Sequence, residues 1–304
     1  MPRGISMLYS TMRMRAVAAV ASFALLGAVT SAAASATPVD LRPGLPWFAF
    51  MNVFFLPADG GAFIFGNYWG ITDLNATFSP GGIISLSPNT SISRDILPGN
   101  PDYSFWWRAD GTGNRIMDAN LLVQDDSLVG QTVTFSGVTF SNTLVSPYFS
   151  RAFIRDFVSD YSSFVEASAP LVGGRLFSTT LATAALPGHH VQYGFETNGP
   201  NAPLAAAGTL GAVQVAASDA GILFPQLLAD VAGLGPAGKD EDLPGLVRLA
   251  QADHAAGRVE EACEDLGEFV DELRQLKTLA PMLTVQLTSE SSAIQAVIGC
   301  KDLR

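Results

Sequence analysis

The hydrophobic pattern of this chain changes its period near Ser218, and this change constrains the fold more than any other feature. Before Ser218, apolar and polar residues alternate in short segments that Gly, Pro, Asn and Asp interrupt at fairly even spacing. Many short alternating segments with regular turns are typical of an antiparallel sandwich or barrel. After Ser218, apolar residues recur at three- and four-residue steps, which indicates helices. We therefore expect an all-β sandwich followed by a small all-α module.

Five segments show the strand pattern most clearly: residues 132–140, 152–158, 176–181, 190–195 and 210–215. In the first of them Val133 and Phe135 alternate with threonine and serine, so we expect one buried face and one face in water. Four helices are expected later, over residues 227–234, 243–255, 259–276 and 282–298. The third is amphipathic and its outer face is acidic, whereas no sustained helical pattern precedes residue 219.

The first 36 residues have the order of a cleavable secretory signal peptide. They contain three arginines and no acid, then an apolar run over residues 16–29, then small residues that end in Ala34-Ser35-Ala36. A membrane anchor is the alternative, but it needs about 20 apolar residues and this run is shorter. We expect a signal peptide (1–36), a β-sandwich (37–218) and a helical module (219–304). The mature protein is then secreted, extracellular or at the cell surface, and does not span a membrane.

The two cysteines, Cys263 and Cys300, both lie in the helical segment. In an exported protein, two cysteines in one compact segment most simply form a disulfide. A segment this short buries a modest core, so we expect the bond to contribute about 3 to 4 kcal/mol to its stability. The three histidines, His189, His190 and His254, do not stand at metal-ligand spacing to either cysteine, and no metal or other cofactor is predicted.

The charge balance disfavours two classes of partner. The chain has 17 basic and 28 acidic residues and a net charge of -11, which argues against nucleic acid or anionic lipid. The familiar catalytic signatures are also missing: the Gly-x-Ser-x-Gly elbow, the His-Glu-x-x-His zinc motif, the phosphate-binding loop and the nicotinamide fingerprint. We expect a binding protein and not an enzyme.

Acidic side chains are the remaining candidates for catalysis, because glycoside cleavage needs two positioned carboxylates. The sandwich segment contains Asp118, Glu166 and Glu196 among other acids, but sequence alone does not pair them. Glu196 follows an alternating strand and precedes Asn198-Gly199-Pro200. We interpret it as a solvated strand end, since acids often end strands in turns.

Aromatic residues in turns suggest a ligand, because the C–H faces of sugar rings stack on flat apolar side chains. Trp106 and Trp107 are adjacent in a segment rich in Pro, Asn and Asp, and neighbours in a strand point to opposite faces. Tyr148 follows Pro147, and Tyr161 follows Asp160. We expect these four aromatics to bind a polysaccharide or cell-surface glycan. Core packing is the alternative for each of them, because large aromatics dominate ordinary cores.

The sandwich segment resembles a known family over roughly residues 45 to 216. The run LVGQTVTFSGVTF at 128–140, with AFIRDF at 152–157 and VQYGF at 191–195, is similar to jelly-roll carbohydrate-binding modules attached to bacterial polysaccharide-degrading enzymes. The resemblance implies a jelly-roll sandwich that binds carbohydrate. The last strand of those modules often carries an acidic pair that holds a structural calcium. Residues 210–215 contain no acid, so a calcium site of this type is possible but not supported.

The tail over residues 246–300 resembles the FIMAH domain, a small helical module at the C-terminus of many secreted bacterial proteins. The matching residues are Ala256 to Arg258, Ala262-Cys263, Phe269-Val270 and Ile298 to Cys300. This resemblance implies an accessory or attachment role. Two other functions stay open: a structural or adhesion protein with protein partners, and a polysaccharide lyase or hydrolase, because fold does not fix function.

Overall fold

The computed structural model describes residues 36–39, 41–79, 82–235, 242–276 and 279–301. Within these ranges the chain forms two six-stranded sheets followed by a region of helices. The expected signal peptide lies outside the described residues except for Ala36. In the described part of the chain, no helix is long and apolar enough to cross a membrane.

The strands are, in chain order, β1 (Thr37–Val39), β2 (Phe48–Phe55), β3 (Phe63–Trp69), β4 (Ala76–Phe78), β5 (Ile84–Leu86), β6 (Arg115–Gln124), β7 (Thr132–Asn142), β8 (Phe149–Phe157), β9 (Phe164–Pro170), β10 (Arg175–Ala182), β11 (His190–Pro200) and β12 (Val213–Ala216). The α-helices are α1 (Ile92–Asp95), α2 (Tyr103–Trp106), α3 (Ala220–Gly233), α4 (Leu243–Ala255), α5 (Val259–Gln275) and α6 (Pro281–Ile298).

The strands divide between two sheets. In sheet A, β7 pairs with β10 along one edge, and with β1 and β12 along the other; β12 then leads to β5 and β4. Only the β1–β7 pair of this sheet is parallel. Sheet B has the order β3-β2-β6-β11-β8-β9 and is antiparallel throughout. The expected β-rich body is therefore confirmed at the level of two sheets that share a core.

The inner faces of the two sheets pack against each other through large apolar side chains. Val133 and Phe135 of β7 are fully buried there, as their alternation with polar residues predicts. The ring of Phe135 lies 5.3 Å from that of Phe195 in sheet B, and the ring of Phe177 lies 5.8 Å from Phe195. Aromatic contacts thus join the centres of both sheets.

The helices cover part of the outer face of sheet A. The first half of this face on β7 is polar, and the Thr134 hydroxyl shares an exposed hydrogen bond with that of Thr180 at 2.8 Å. The second half is apolar: Val138 and Phe140 are fully buried in a second core with residues of α3 to α6. The change from threonine to apolar residues on one face of β7 marks where the helical layer begins.

The helical region agrees with expectation in three of its helices and in its disulfide. Cys263 and Cys300 are bonded, with Cα atoms 5.7 Å apart. The first helix differs, because α3 begins at Ala220, well before residue 227. Pro225 lies inside this helix, where its missing N–H would ordinarily favour a break. Leu223 and Phe224, which directly precede the proline, are buried in the second core and anchor this part of the helix.

A cluster of polar side chains lies between α3 and α6. Glu290 is completely buried, and its Oε1 accepts a hydrogen bond from Gln286 at 2.8 Å. Asp230 lies beside it and accepts a hydrogen bond from Gln226 at 2.9 Å. Burial, followed by the charge of Asp230, raises the pKa of Glu290 to about 9. Glu290 is therefore protonated at neutral pH.

This cluster makes stability depend on pH. The Glu290 carboxyl ionises near pH 4.5 in the unfolded chain and near pH 9 in the folded one, so stability is fullest below about 4.5 and falls as the pH rises towards 9. Glu290→Gln removes this titration, because it replaces the carboxyl by a neutral amide that can still form hydrogen bonds. We expect the free energy of unfolding at pH 7.5 to rise by about 2 to 3 kcal/mol.

Urea unfolding at pH 5, 7 and 9 checks this expectation. The matched control is Glu261→Gln on the exposed face of α5, which should follow the parent at every pH. A Glu290→Gln variant that loses as much stability as the parent between pH 5 and pH 9 would contradict the assignment.

Candidate functional site

A solvent-open cleft of about 840 Å³ crosses the outer face of sheet B. Its side chains come from alternate positions of the strands, on the face opposite the core. In β2, for example, Met51 and Val53 are fully buried between the sheets, whereas Phe50, Asn52 and Phe54 line the cleft. The cleft receives side chains from all six strands of the sheet.

Aromatic rings form the wall of the cleft at the β3 edge. Tyr68 is 70% exposed, and its ring lies 5.8 Å from Phe48 and 5.2 Å from Phe50. Gly66 faces the same side, and a Cβ atom there would lie only 2.8 Å from the ring of Phe50. A side chain at position 66 would therefore collide with the Phe50 ring in its observed position.

A second aromatic group stands at the β9 edge. The ring of Phe157 lies 4.8 Å from that of Phe164 and 5.5 Å from that of Tyr161. Tyr161 has a left-handed backbone with φ of 57°, which is uncommon for a residue other than glycine. Its ring stacks in parallel on His190 at 4.4 Å, and its hydroxyl donates to Gln124 at 3.2 Å. These contacts hold the ring at the cleft edge.

The floor between the two aromatic groups is polar and charged. Arg155 is 6% exposed and donates from three nitrogens: Nε to Glu166 at 2.7 Å, Nη2 to Glu196 at 2.7 Å, and Nη1 to Asn120 at 2.6 Å. Arg151 donates to the same two glutamates, at 2.6 Å to Glu166 and 2.8 Å to Glu196. Each glutamate is thus shared by both arginines, and the four charges cancel.

Strand pairing explains why these four residues meet. Arg151 and Arg155 are four positions apart in β8, so their side chains leave the same face of the sheet. In the antiparallel register, Arg155 is paired with Glu166 of β9 and Arg151 with Glu196 of β11. Opposite charges therefore face each other across both sides of β8.

Asp118 of β6 is the remaining acid of the floor and is 7% exposed. Its Oδ2 accepts a hydrogen bond from Asn52 at 3.0 Å, while Oδ1 has no partner among the described residues. Burial, followed by the charge of Glu196, raises the pKa of Asp118 to about 6, although Asn52 and Arg155 act in the opposite direction. The group therefore changes charge in a mildly acidic range.

The four aromatic residues expected to bind ligand lie in different parts of the structure. Tyr161 lines the cleft. Trp106 and Trp107 lie in the core, with 9% and 5% of their surface exposed, because Trp106 ends the helical turn α2 and the pair is not part of an alternating strand. The half-buried ring of Tyr148 packs against Gly199 and is not part of the cleft lining. The structure thus brings one of the four to the cleft.

The interpretation of Glu196 as a solvated strand end is wrong. Strand β11 continues through Pro200, because Asn198 to Pro200 still pair with β6. Glu196 is therefore in mid-strand and only 4% exposed. The spacing of Arg151 and Arg155 within one strand was the signal for this network, since two cations on one face require nearby acids when they are buried.

Other acids pair with histidines away from the floor. His189 Nδ1 lies 2.8 Å from Asp156, which also accepts from the backbone N–H of Ala184 at 2.6 Å. His190 Nδ1 lies 2.8 Å from Asp126. Among the residues that the structure describes, no group of three His, Cys, Asp or Glu side chains could hold a metal ion.

Comparisons of the chain with protein-family models, curated proteins and solved structures find no match. The chemistry of the cleft therefore carries the functional interpretation. It offers two aromatic groups for apolar surfaces and a floor of fixed hydrogen-bonding groups between them.

The floor network should also matter for folding. Arg155→Met removes a buried cation and leaves Glu166 and Glu196 with one arginine, so we expect a loss of about 3 to 5 kcal/mol in the free energy of unfolding. Arg108→Met is the control, because Arg108 pairs with Asp59 at 3.1 Å where both side chains are more than 40% exposed. That variant should lose less than about 1 kcal/mol. Equal losses for both in chemical denaturation would show that the network is not structurally important.

Proposed function

We propose that this protein is an exported, non-catalytic binding protein that holds a polysaccharide or cell-surface glycan in the cleft of sheet B. The observation that carries this proposal is the placement of exposed aromatic rings at both edges of a polar floor. A sugar has apolar C–H faces and a rim of hydroxyl groups, so a ligand of this kind needs both surfaces at once. Neither a purely apolar ligand nor a small ion matches this lining.

The dimensions of the cleft favour an oligomeric ligand. Strands in a sheet lie about 4.8 Å apart, so six strands span about 24 Å from β3 to β9. Tyr68 lies near one end of this distance and Phe164 near the other. A single sugar ring would engage one aromatic group only, whereas a chain of several sugars can contact both.

The same proposal includes the two resemblances found in the sequence. We infer that the two-sheet body is a jelly roll of the carbohydrate-binding kind and that the helical region is a FIMAH-like attachment module. The packing of two six-stranded sheets through one core supports the first, and the bond between Cys263 and Cys300 supports the second. A disulfide also favours an oxidising compartment, which supports export.

Binding to a glycan array, followed by titration calorimetry on the best ligand, tests the proposal. Tyr68→Ala and Phe164→Ala each remove an exposed ring from one edge of the cleft, and each should weaken binding about tenfold. Leu176→Ala is the control: this side chain is 52% exposed on β10 of sheet A and should bind like the parent. Failure of the parent to bind any glycan would refute the proposal, and capture of a surface protein instead would favour an adhesion role.

One observation favours a second candidate, a glycoside hydrolase or lyase. Asp118 and Glu196 lie on the neighbouring strands β6 and β11 and both line the cleft. Asp118 pairs with Asn198, which is two residues after Glu196, so the two carboxyl groups are in diagonal positions. One carboxyl with a raised pKa beside a second carboxylate is an arrangement that glycoside cleavage uses. Release of reducing ends by the parent, lost in both Asp118→Asn and Glu196→Gln, would establish this activity. If the parent releases no reducing ends from any glycan that it binds, binding remains the proposed function.

A further inference from the structure

The floor of the cleft has one charge that no partner compensates. Its charged lining residues are Arg151, Arg155, Glu196 and Asp118. Glu166 is outside the lining and accepts hydrogen bonds from both arginines. The two arginines and two glutamates are joined by short hydrogen bonds of 2.6 to 2.8 Å. Asp118 remains as a third carboxylate with no cation of its own. When it is ionised, the cluster of these five side chains, two arginines and three carboxylates, has a net charge of minus one.

The environment of Asp118 suits a positively charged group. Its free oxygen, Oδ1, is buried and has no hydrogen-bond partner among the described residues, so it can accept one without breaking an existing bond. Its neighbour across the strands is Asn52, and Phe50 and Phe54 flank Asn52 on the same face of β2. Rings at these diagonal positions lie within reach of a group bound at the carboxylate. A cation is attracted by both a carboxylate and the faces of aromatic rings.

The same floor disfavours an anionic ligand. The arginines are the only cationic side chains in the described lining, and the charge of both is already compensated by Glu166 and Glu196. The whole chain also carries a net charge of -11, which repels polyanions at long range. The choice is therefore between neutral and cationic sugars.

We propose that Asp118 forms a subsite for a cationic amine, and that the glycan held in the cleft carries amino sugars with free amino groups, as a polymer of glucosamine does. This inference rests on the proposed glycan-binding function and adds the chemical class of the ligand. The ammonium group donates a hydrogen bond to Oδ1 of Asp118, while the sugar rings stack on the aromatic edges. Acetylation of the amine removes its charge and therefore the preference.

The pH dependence of binding has a defined sign. The groups that face Asp118 are Glu196 on β11, Arg151 and Arg155 on β8, and Asn52 on β2. With a pKa of about 6, Asp118 is mostly ionised at pH 7 and mostly protonated at pH 5, so amine binding should weaken over that interval, by about tenfold at most. Lowering the pH only increases the charge of the amine, so a decrease in affinity must come from the protein.

Titration calorimetry with two probes tests the subsite: a hexamer of glucosamine and a hexamer of N-acetylglucosamine, both at pH 7. We expect the glucosamine hexamer to bind the parent at least about tenfold more tightly, as a hydrogen bond between charged groups implies. Asp118→Asn should bind both hexamers equally. Asp110→Asn, which alters a fully exposed acid, controls for general attraction between a cationic oligomer and an acidic protein.

The outcomes separate this inference from the function on which it rests. If the parent binds the acetylated hexamer or a neutral glycan as tightly as the amine, the subsite is refuted and glycan binding stands. If no glycan binds at all, both proposals fail. If Asp118→Asn does not fold, the parent alone still decides, because affinity for the glucosamine hexamer that stays constant or rises from pH 7 to pH 5 overturns the subsite.

Discussion

Burial of sheet A on both of its faces is the constraint on which the other layers depend. One face supplies half of the core between the sheets, and the other supplies the apolar surface against which the helices pack. Strand β7 contributes to both, because Val133 and Phe135 point one way and Val138 and Phe140 the other. Tight packing on both faces limits how far this strand can shift. Sheet B, supported on its inner face by sheet A, can then expose its other face to solvent.

The outer face of sheet B contains charged side chains that are largely buried, and burial of a charged group costs free energy. Arg155, Glu166 and Glu196 are nearly removed from water, and the desolvation of each is offset by the others, by Arg151 and by neutral partners such as Asn120. A network of this kind tolerates little change in geometry, so it fixes the positions of its members before any ligand arrives. A preorganised floor loses less entropy on binding than flexible side chains would. The site is therefore rigid where it is polar.

Local patterns in the sequence predicted the elements well and the site poorly. The strand around Val133 and the helices from residue 243 onwards follow their periodicity closely, because burial on one face dominates each of them. Trp106 was misread because a single helical turn has no period to detect. Glu196 was misread because its burial depends on β6 and β8, which lie far away in the chain. Pairing between distant strands decides which acids meet, and one sequence does not contain that information.

The sequence FAFMNVFF of β2 indicates that the outer face of sheet B, which lines the cleft, is not an ordinary solvent-exposed face. Apolar residues occupy both faces of this strand, which is unexpected for an antiparallel strand with one face in open water. Residues such as Phe48 and Phe50 form part of the aromatic wall and have no place in the core between the sheets. An excess of aromatics on the outer face thus distinguishes a strand that lines a cleft from one that only supports a core.

The order of the layers has a consequence for assemblies that include this protein. The helices cover part of sheet A, the cleft opens on sheet B, and the two sheets lie between them. Sheets pack about 10 Å apart, so a polymer in the cleft is separated from the helices by the full thickness of the β-layers. The two surfaces cannot compete for the same occupant. A second body could rest on the helical side while the cleft is filled, which would make this protein a bridge of fixed length between them.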